Sequence, residues 1–194
     1  PAATEMETRI TDWLRQMIGL PESFHGVIQD SASSAILCAI LTARERITSW
    51  RGNEDGLAGC PPIVIYTSDQ TNSATEKGAK IAGLGRNNVR VIPSDPITFA
   101  IRPYELENAI IEDRSAGKLP ACVIANLGST GVGAMDNLEA VGEIVTRHGL
   151  FSHVDAAWAG SALILEEHRH LLKGIEGFDS FVFNPHKWLK TIFD

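Results

Sequence analysis

Apolar positions along the chain follow two alternating rhythms. Short runs at 63–66 (Ile-Val-Ile-Tyr), 89–92, 121–126 (Ala-Cys-Val-Ile-Ala-Asn) and 151–154 have strand length and are mostly apolar. Between them, apolar residues recur every three or four positions, the spacing of one helix face. Near the start, Met6, Ile10, Trp13, Leu14, Met17 and Ile18 form such a stripe. Thr4 and Glu7 predict a capping box at its head, and Gly19 with Pro21 predicts its end. The width of the stripe predicts a core-facing helix. A second apolar helix, through Ala35, Ile36, Cys38, Ala39 and Leu41, is expected after the small-residue turn Ser31-Ala32-Ser33-Ser34. Further helices are expected over 73–82, over 103–115 between Pro103 and Gly117, and from an Asp136–Glu139 cap to about His148. A short one is expected over 167–172.

This alternation predicts the α/β class, a mostly parallel sheet with helices on both faces. Ligands of such sheets bind at the carboxyl ends of the strands. Ser68-Asp69, Ser129 in the turn Gly128-Ser129-Thr130-Gly131, Asp155 and Lys187 all stand at predicted strand ends. Lys187 belongs to Ser-Phe-Val-Phe-Asn-Pro-His-Lys-Trp at 180–188, where Asn184-Pro185 breaks the strand. Phe183 and Trp188 are expected to wall the lysine, and the desolvation to make its amine more nucleophilic. The alternative is an ordinary surface lysine after a strand, and the convergence of the other strand ends argues against it.

Composition narrows the classes. The 194 residues suffice for one full domain, with 44% hydrophobic and 21% charged residues as in a soluble globular protein. Seventeen Lys+Arg against 24 Asp+Glu give −7, which offers nucleic acid or an anionic membrane no electrostatic attraction. No apolar segment is long enough to span a membrane, and no leader pattern is visible. Cys38, Cys60 and Cys122 are odd in number and lack metal-ligand spacing, so they read as reduced thiols of a cytoplasmic protein. The chain stops at 191–194 within what reads as a strand, which predicts a piece of a longer chain.

One cofactor uses the whole set of polar strand ends. Pyridoxal 5'-phosphate carries a phosphate for a serine-rich helix start, an aldehyde that forms a Schiff base with lysine, and a ring nitrogen that needs a carboxylate. On this reading Lys187 is the Schiff-base amine and Asp155 the carboxylate, with the serines at 31–33 and Ser129 as phosphate donors. Competing sites lack support: there is no Gly-x-Gly-x-x-Gly and no Gly-Lys-Ser/Thr. His153-x-Asp155 puts two ligand types on one strand face but has no third partner at usable spacing, so no metal is expected. His168 and His170 read as surface residues.

Four blocks carry a family resemblance: Gly-Val-Ile-Gln-Asp-Ser-Ala-Ser (26–33), Tyr-Thr-Ser-Asp-Gln (66–70), His-Val-Asp-Ala-Ala-Trp-Ala-Gly-Ser-Ala (153–162) and Asp-Ser-Phe-Val-Phe-Asn-Pro-His-Lys-Trp-Leu (179–189). In order and spacing they resemble the group II pyridoxal-dependent decarboxylases, nearest the aromatic L-amino-acid, tyrosine and histidine decarboxylase branch. The resemblance implies the large domain of a fold-type-I pyridoxal enzyme that works as a homodimer. Residues 1–194 would be its central part, with 1–25 as leading helix and connection and 26–194 as the cofactor-binding α/β core. An N-terminal segment and a C-terminal small domain would lie outside the chain. It further implies that Lys187 is the Schiff-base lysine, Asp155 the partner of the ring nitrogen and Ala157 the small residue under the ring. Ala32, Ser33 and Asn184 would anchor the phosphate with His186 close by, and Ser129 stands where threonine is usual.

The implied activity is decarboxylation of an L-amino acid, by resemblance an aromatic one, to the amine and carbon dioxide. One position departs from the pattern. Asn72 occupies the place of a histidine that stacks on the cofactor ring, and an amide can neither stack as well nor act as an acid near neutral pH. Asparagine there resembles the enzymes that couple decarboxylation to oxidative deamination and release an aldehyde. An aromatic acetaldehyde synthase, a plain decarboxylase that tolerates asparagine, and an inactive remnant stay open. An aminotransferase would use the same Lys and Asp but lacks an evident arginine for a second substrate carboxylate.

Overall fold

The computed structural model describes residues 1–192. A long helix, α1 (Ala2–Ile18), leads into α2 (Ala32–Ile47) and the single turn α3 (Gly52–Asp55). Strand and helix then alternate through β1 (Ile63–Ser68), α4 (Ala74–Ile81), β2 (Val89–Ile92), α5 (Pro103–Ser115), β3 (Leu119–Asn126), α6 (Leu138–His148) and β4 (Phe151–Asp155). Three 3₁₀ segments between Gly160 and Gly177 precede β5 (Ser180–Val182) and the one-turn α7 (Pro185–Trp188). The strands form one parallel sheet in the order β2-β1-β3-β4-β5. The α/β class and the parallel sheet expected from the apolar runs are therefore what the chain adopts.

Alternation along the strands divides the core. Val64, Tyr66, Val123, Ala125 and Val154 pack beneath α5 and α6 against Leu106, Ile110, Val141 and Val145. Ile63, Ile65, Cys122, Ile124 and Phe151 face α2 and α4 through Ile36, Ala39, Ile40 and Ala79. Because both faces are covered, the central strands β1 and β3 are apolar on both sides over most of their length. β1 lies between β2 and β3, so the strand order reverses at the β1/β3 boundary, which makes a crevice outside the carboxyl ends of these two strands.

The orientation of α2 follows from one ion pair. Arg46, in its last turn, lies 3.1 Å from Asp179, immediately before β5 begins. The C-terminal end of α2 therefore meets the amino end of the sheet. A helix of this length spans about 24 Å, comparable to the longest strand it crosses, so its first turn reaches toward the carboxyl edge.

Several local expectations are corrected. α1 starts at Ala2, placing Thr4 inside the helix, and Glu7 instead accepts the Ile28 N–H at 2.8 Å. Its stripe is not core-facing, since only Ile18 is buried and Met6, Trp13 and Met17 lie open among the described residues. α6 is capped by Asn137, whose side chain accepts the Ala140 N–H at 3.1 Å, because Asp136 is drawn into the interior. β3 begins at Leu119, and an irregularity opposite Val64 and Ile65 absorbs its extra residue. The strand expected over 191–194 falls partly outside the described residues; Thr191 and Ile192 have no regular secondary structure. Among the described residues no helix is long and apolar enough to cross a membrane, and no group of three or more His, Cys, Asp or Glu is placed to hold a metal ion.

Candidate active site

The carboxyl ends of β4 and β5 are built by their pairing. Asp155 closes β4 opposite Val182, and the chain continues from the Ala156 N–H donating to the Val182 carbonyl. The Asp155 carboxylate is buried and accepts the Ala157 N–H at 3.0 Å. Burial pushes its carboxyl above the usual range, opposed by that N–H and by the charge of Lys187. The positive charge of Lys187 thus acts on the Asp155 carboxylate. Ala157 is itself buried, so the floor next to the carboxylate has no bulk.

Beyond β5, Asn184 is buried and its carbonyl accepts the Lys187 N–H at 3.1 Å, closing α7. Here the expected aromatic wall is corrected. Lys187 is exposed. Trp188 packs edge-on against Trp158, with centroids 4.9 Å apart, and Phe183 lies near Phe181 and under Gly160. Protein side chains alone do not desolvate this lysine.

The turn after β3 comes to the same place. Gly128 has φ +88°, and a Cβ there would sit 2.2 Å from the Cβ of Ala159, so this turn packs directly on the one after β4. Ser129 is buried and its Oγ accepts the Ala134 N–H at 3.0 Å, which leaves the hydroxyl proton for another acceptor. At the opposite rim, Ser31 caps α2 by accepting the Ser34 N–H at 3.3 Å, while Ala32 is buried and Ser33 exposed. No acidic residue stands in the first turn of α2.

Asn72 lies exposed in the connection from β1 to α4. Its Oδ1 accepts the Ala74 N–H at 3.0 Å, so the carbonyl end of the amide is held by the helix start. α4 in turn packs on α2, where Gly78 would place a Cβ 2.9 Å from Ile40 Cδ1. His153 sits inside the sheet with Nδ1 2.8 Å from the Ser180 hydroxyl, and His170 is exposed in a 3₁₀ segment, 2.7 Å from the Glu167 carbonyl.

Sequence reasoning missed the floor of the β1/β3 crevice. Asn126 Nδ2 donates to Ser68 Oγ at 3.1 Å across the boundary, and the buried Asp136 lies behind it. The only trace in the sequence was an acidic residue three positions before Glu139, which read as a helix cap.

An open parallel sheet with its polar side chains gathered at the carboxyl edge is the layout of an α/β cofactor-binding domain. The model of the pyridoxal-dependent decarboxylase conserved domain matches residues 1–194. The chain belongs to that family. It is 42% identical over 201 residues to the phenylacetaldehyde synthase of Arabidopsis thaliana, covering 100% of this chain and 40% of that protein. It is 45% identical over 206 residues to the aromatic-L-amino-acid decarboxylase of Bos taurus, covering 100% of this chain and 42% of that protein. A crystal structure of Oryza sativa TDC with PLP and tryptamine superposes with a TM-score of 0.94 at 40% identity, covering 100% of this chain and 41% of that one. The fold is thus that of fold-type-I pyridoxal-phosphate decarboxylases, and the chain spans about two fifths of the length of these relatives.

Proposed function

We propose that the protein carrying this chain is a pyridoxal-phosphate-dependent carboxy-lyase that converts an L-amino acid, most plausibly an aromatic one, to its amine and carbon dioxide. The observation that carries this is the buried Asp155 that closes β4, with the charge of Lys187, two residues beyond Pro185 at the start of α7, acting on it. When bound, the cofactor supplies an electron sink for the carbon that loses its carboxylate. Lys187 is exposed and would be the residue that holds the cofactor's aldehyde end. Asp155, buried from water, would hold a proton on the ring nitrogen.

The donor set fits the phosphate end. The first-turn amides of α2 at Ala32 and Ser33, the Ser33 and Ser129 hydroxyls and the Asn184 amide offer hydrogen-bond donors without a nearby acidic side chain in that turn. His186 stands next to Lys187 on α7. Ala157 leaves room for a flat ring above it, and Asn72 stands at the β1 side of the crevice. A cytoplasmic homodimer is the setting we assign, with segments outside this chain completing the substrate pocket.

A second reading has its own support. Asn72 lacks an acid–base group, and some relatives are named phenylacetaldehyde synthases. On that reading the substrate would react with dioxygen and water to give the aldehyde, carbon dioxide, ammonia and hydrogen peroxide. One experiment addresses both. The full-length protein is loaded with pyridoxal phosphate, reduced with borohydride and mapped by peptide mass, and a parallel sample is incubated with aromatic L-amino acids. The pyridoxyl group is expected on Lys187, and amine with carbon dioxide as products. Label on another lysine overturns the site, and aldehyde with peroxide moves the assignment to the synthase.

A further inference from the structure

Asp136 is nearly fully buried, and each of its two oxygens accepts a backbone N–H. Oδ1 takes that of Ile101 and Oδ2 that of Asn126, both at 2.6 Å. The Asp136 N–H returns a bond to the Asn126 carbonyl at 2.9 Å. No lysine, arginine or histidine pairs with it among the described residues. A carboxylate held only by N–H donors, one of them on the neck of its own turn, is an expensive way to cap a loop, since a neutral side chain would avoid burying the charge.

Its position suggests what the carboxylate does. Asn126 and Asp136 are the two ends of the turn that carries Ser129, which is closed by the Leu127–Met135 bridge and by the Gly128 and Ser129 N–H groups donating to the Ala134 carbonyl. Through its side chain, Asn126 reaches across the crevice to Ser68 Oγ, which also accepts the Gln70 N–H at 3.2 Å. Ile101 is bridged to Ser94, whose N–H donates to Asp69 at 3.4 Å. One carboxylate thus ties the end of β1, the neck of the Ser129 turn and the loop after β2 into one unit beneath the crevice.

We propose that Asp136 is a positioning residue for the cofactor, acting through Asn126 and Ser68 to hold the β1 and β3 ends at the separation the ring and phosphate require. This rests on the pyridoxal reading above. Replacing Asp136 by Asn keeps the shape but turns one acceptor into a donor facing a backbone N–H. Such a change near a charged acceptor weakens an interaction by about tenfold or more.

The test uses the full-length protein and measures pyridoxal phosphate affinity by absorbance titration, together with the induced circular dichroism of the bound cofactor and the thermal midpoint. Asp136→Asn is expected to weaken affinity about tenfold and to change the induced dichroism. Ser68→Ala, a milder break in the same chain of bonds, is expected to weaken it about threefold, and it carries the test if Asp136→Asn does not fold. Tyr66→Phe is the control: it removes the 2.9 Å bond to buried Asp113 near the end of α5, lowering the midpoint while leaving affinity within twofold. Wild-type affinity and dichroism in Asp136→Asn, or in Ser68→Ala where that variant carries the test, overturn the proposal. A wild-type protein that binds no pyridoxal phosphate overturns the underlying reading instead.

Discussion

At the end of β4, a single backbone donor and the charge of Lys187 oppose, without cancelling, the burial of the Asp155 carboxylate. That balance suits a group meant to face a cation, because an unpaired buried charge is unstable and a fully solvated one would pair weakly. Asp155→Asn preserves size and the bond to Ala157 while removing the charge. The variant is expected to retain the cofactor and to lose about 10²-fold or more in kcat. Near-normal turnover in a steady-state assay would show that the ring nitrogen is served by another group. The sequence marked the end of β4 at Asp155, while Lys187, expected at a strand end, lies in α7 beyond β5. The surroundings of Lys187 were not legible in it, since Trp188 finds its partner in Trp158, thirty positions away.

Among the elements, the turns at the carboxyl edge are less regular than the strands and more tightly constrained. Gly128 combines a left-handed φ of +88° with contact to Ala159, so two penalties fall on one position. Gly128→Ala is expected to destabilise by about 2 kcal/mol or more, from backbone strain of about 1–2 kcal/mol plus overlap in a packed site. Urea unfolding checks this, and adding Ala159→Gly should recover the steric part alone. Caps show why local pattern misleads here. Asp136-x-x-Glu139 has the spacing of a capping box, yet Asn137 does the capping because the interior offers Asp136 two backbone donors. The Thr4–Glu7 pattern fails for a related reason, as Glu7 is taken by Ile28 across the chain.

For the molecule as a whole, buried titratable groups couple stability to pH. Burial holds the His153 imidazole neutral, its pKa lowered from 6.5 to about 4. Between those values the unfolded chain binds a proton that the folded chain refuses. The contribution is therefore whole above pH 6.5 and is lost as pH falls toward 4, a swing of roughly 3 kcal/mol. Asp136 and Asp155, with carboxyls raised by burial, act in the opposite sense, so the difference between variants isolates the histidine. His153→Asn should flatten the dependence of the urea midpoint between pH 6.5 and 4 relative to wild type; an unchanged slope would mean that the imidazole titrates normally. The sequence by itself determined the α/β class, the positions of most helices and strands, and the aspartate that ends β4. These follow from side-chain periodicity and from residue types that are costly to bury, both local properties. Only the tertiary structure decided that α1 leaves its stripe open, that Gly128 meets Ala159, and that Asp136 joins β1, β3 and the loop after β2. Those contacts join residues distant along the chain, and no local pattern encodes which distant group will claim a hydrogen bond.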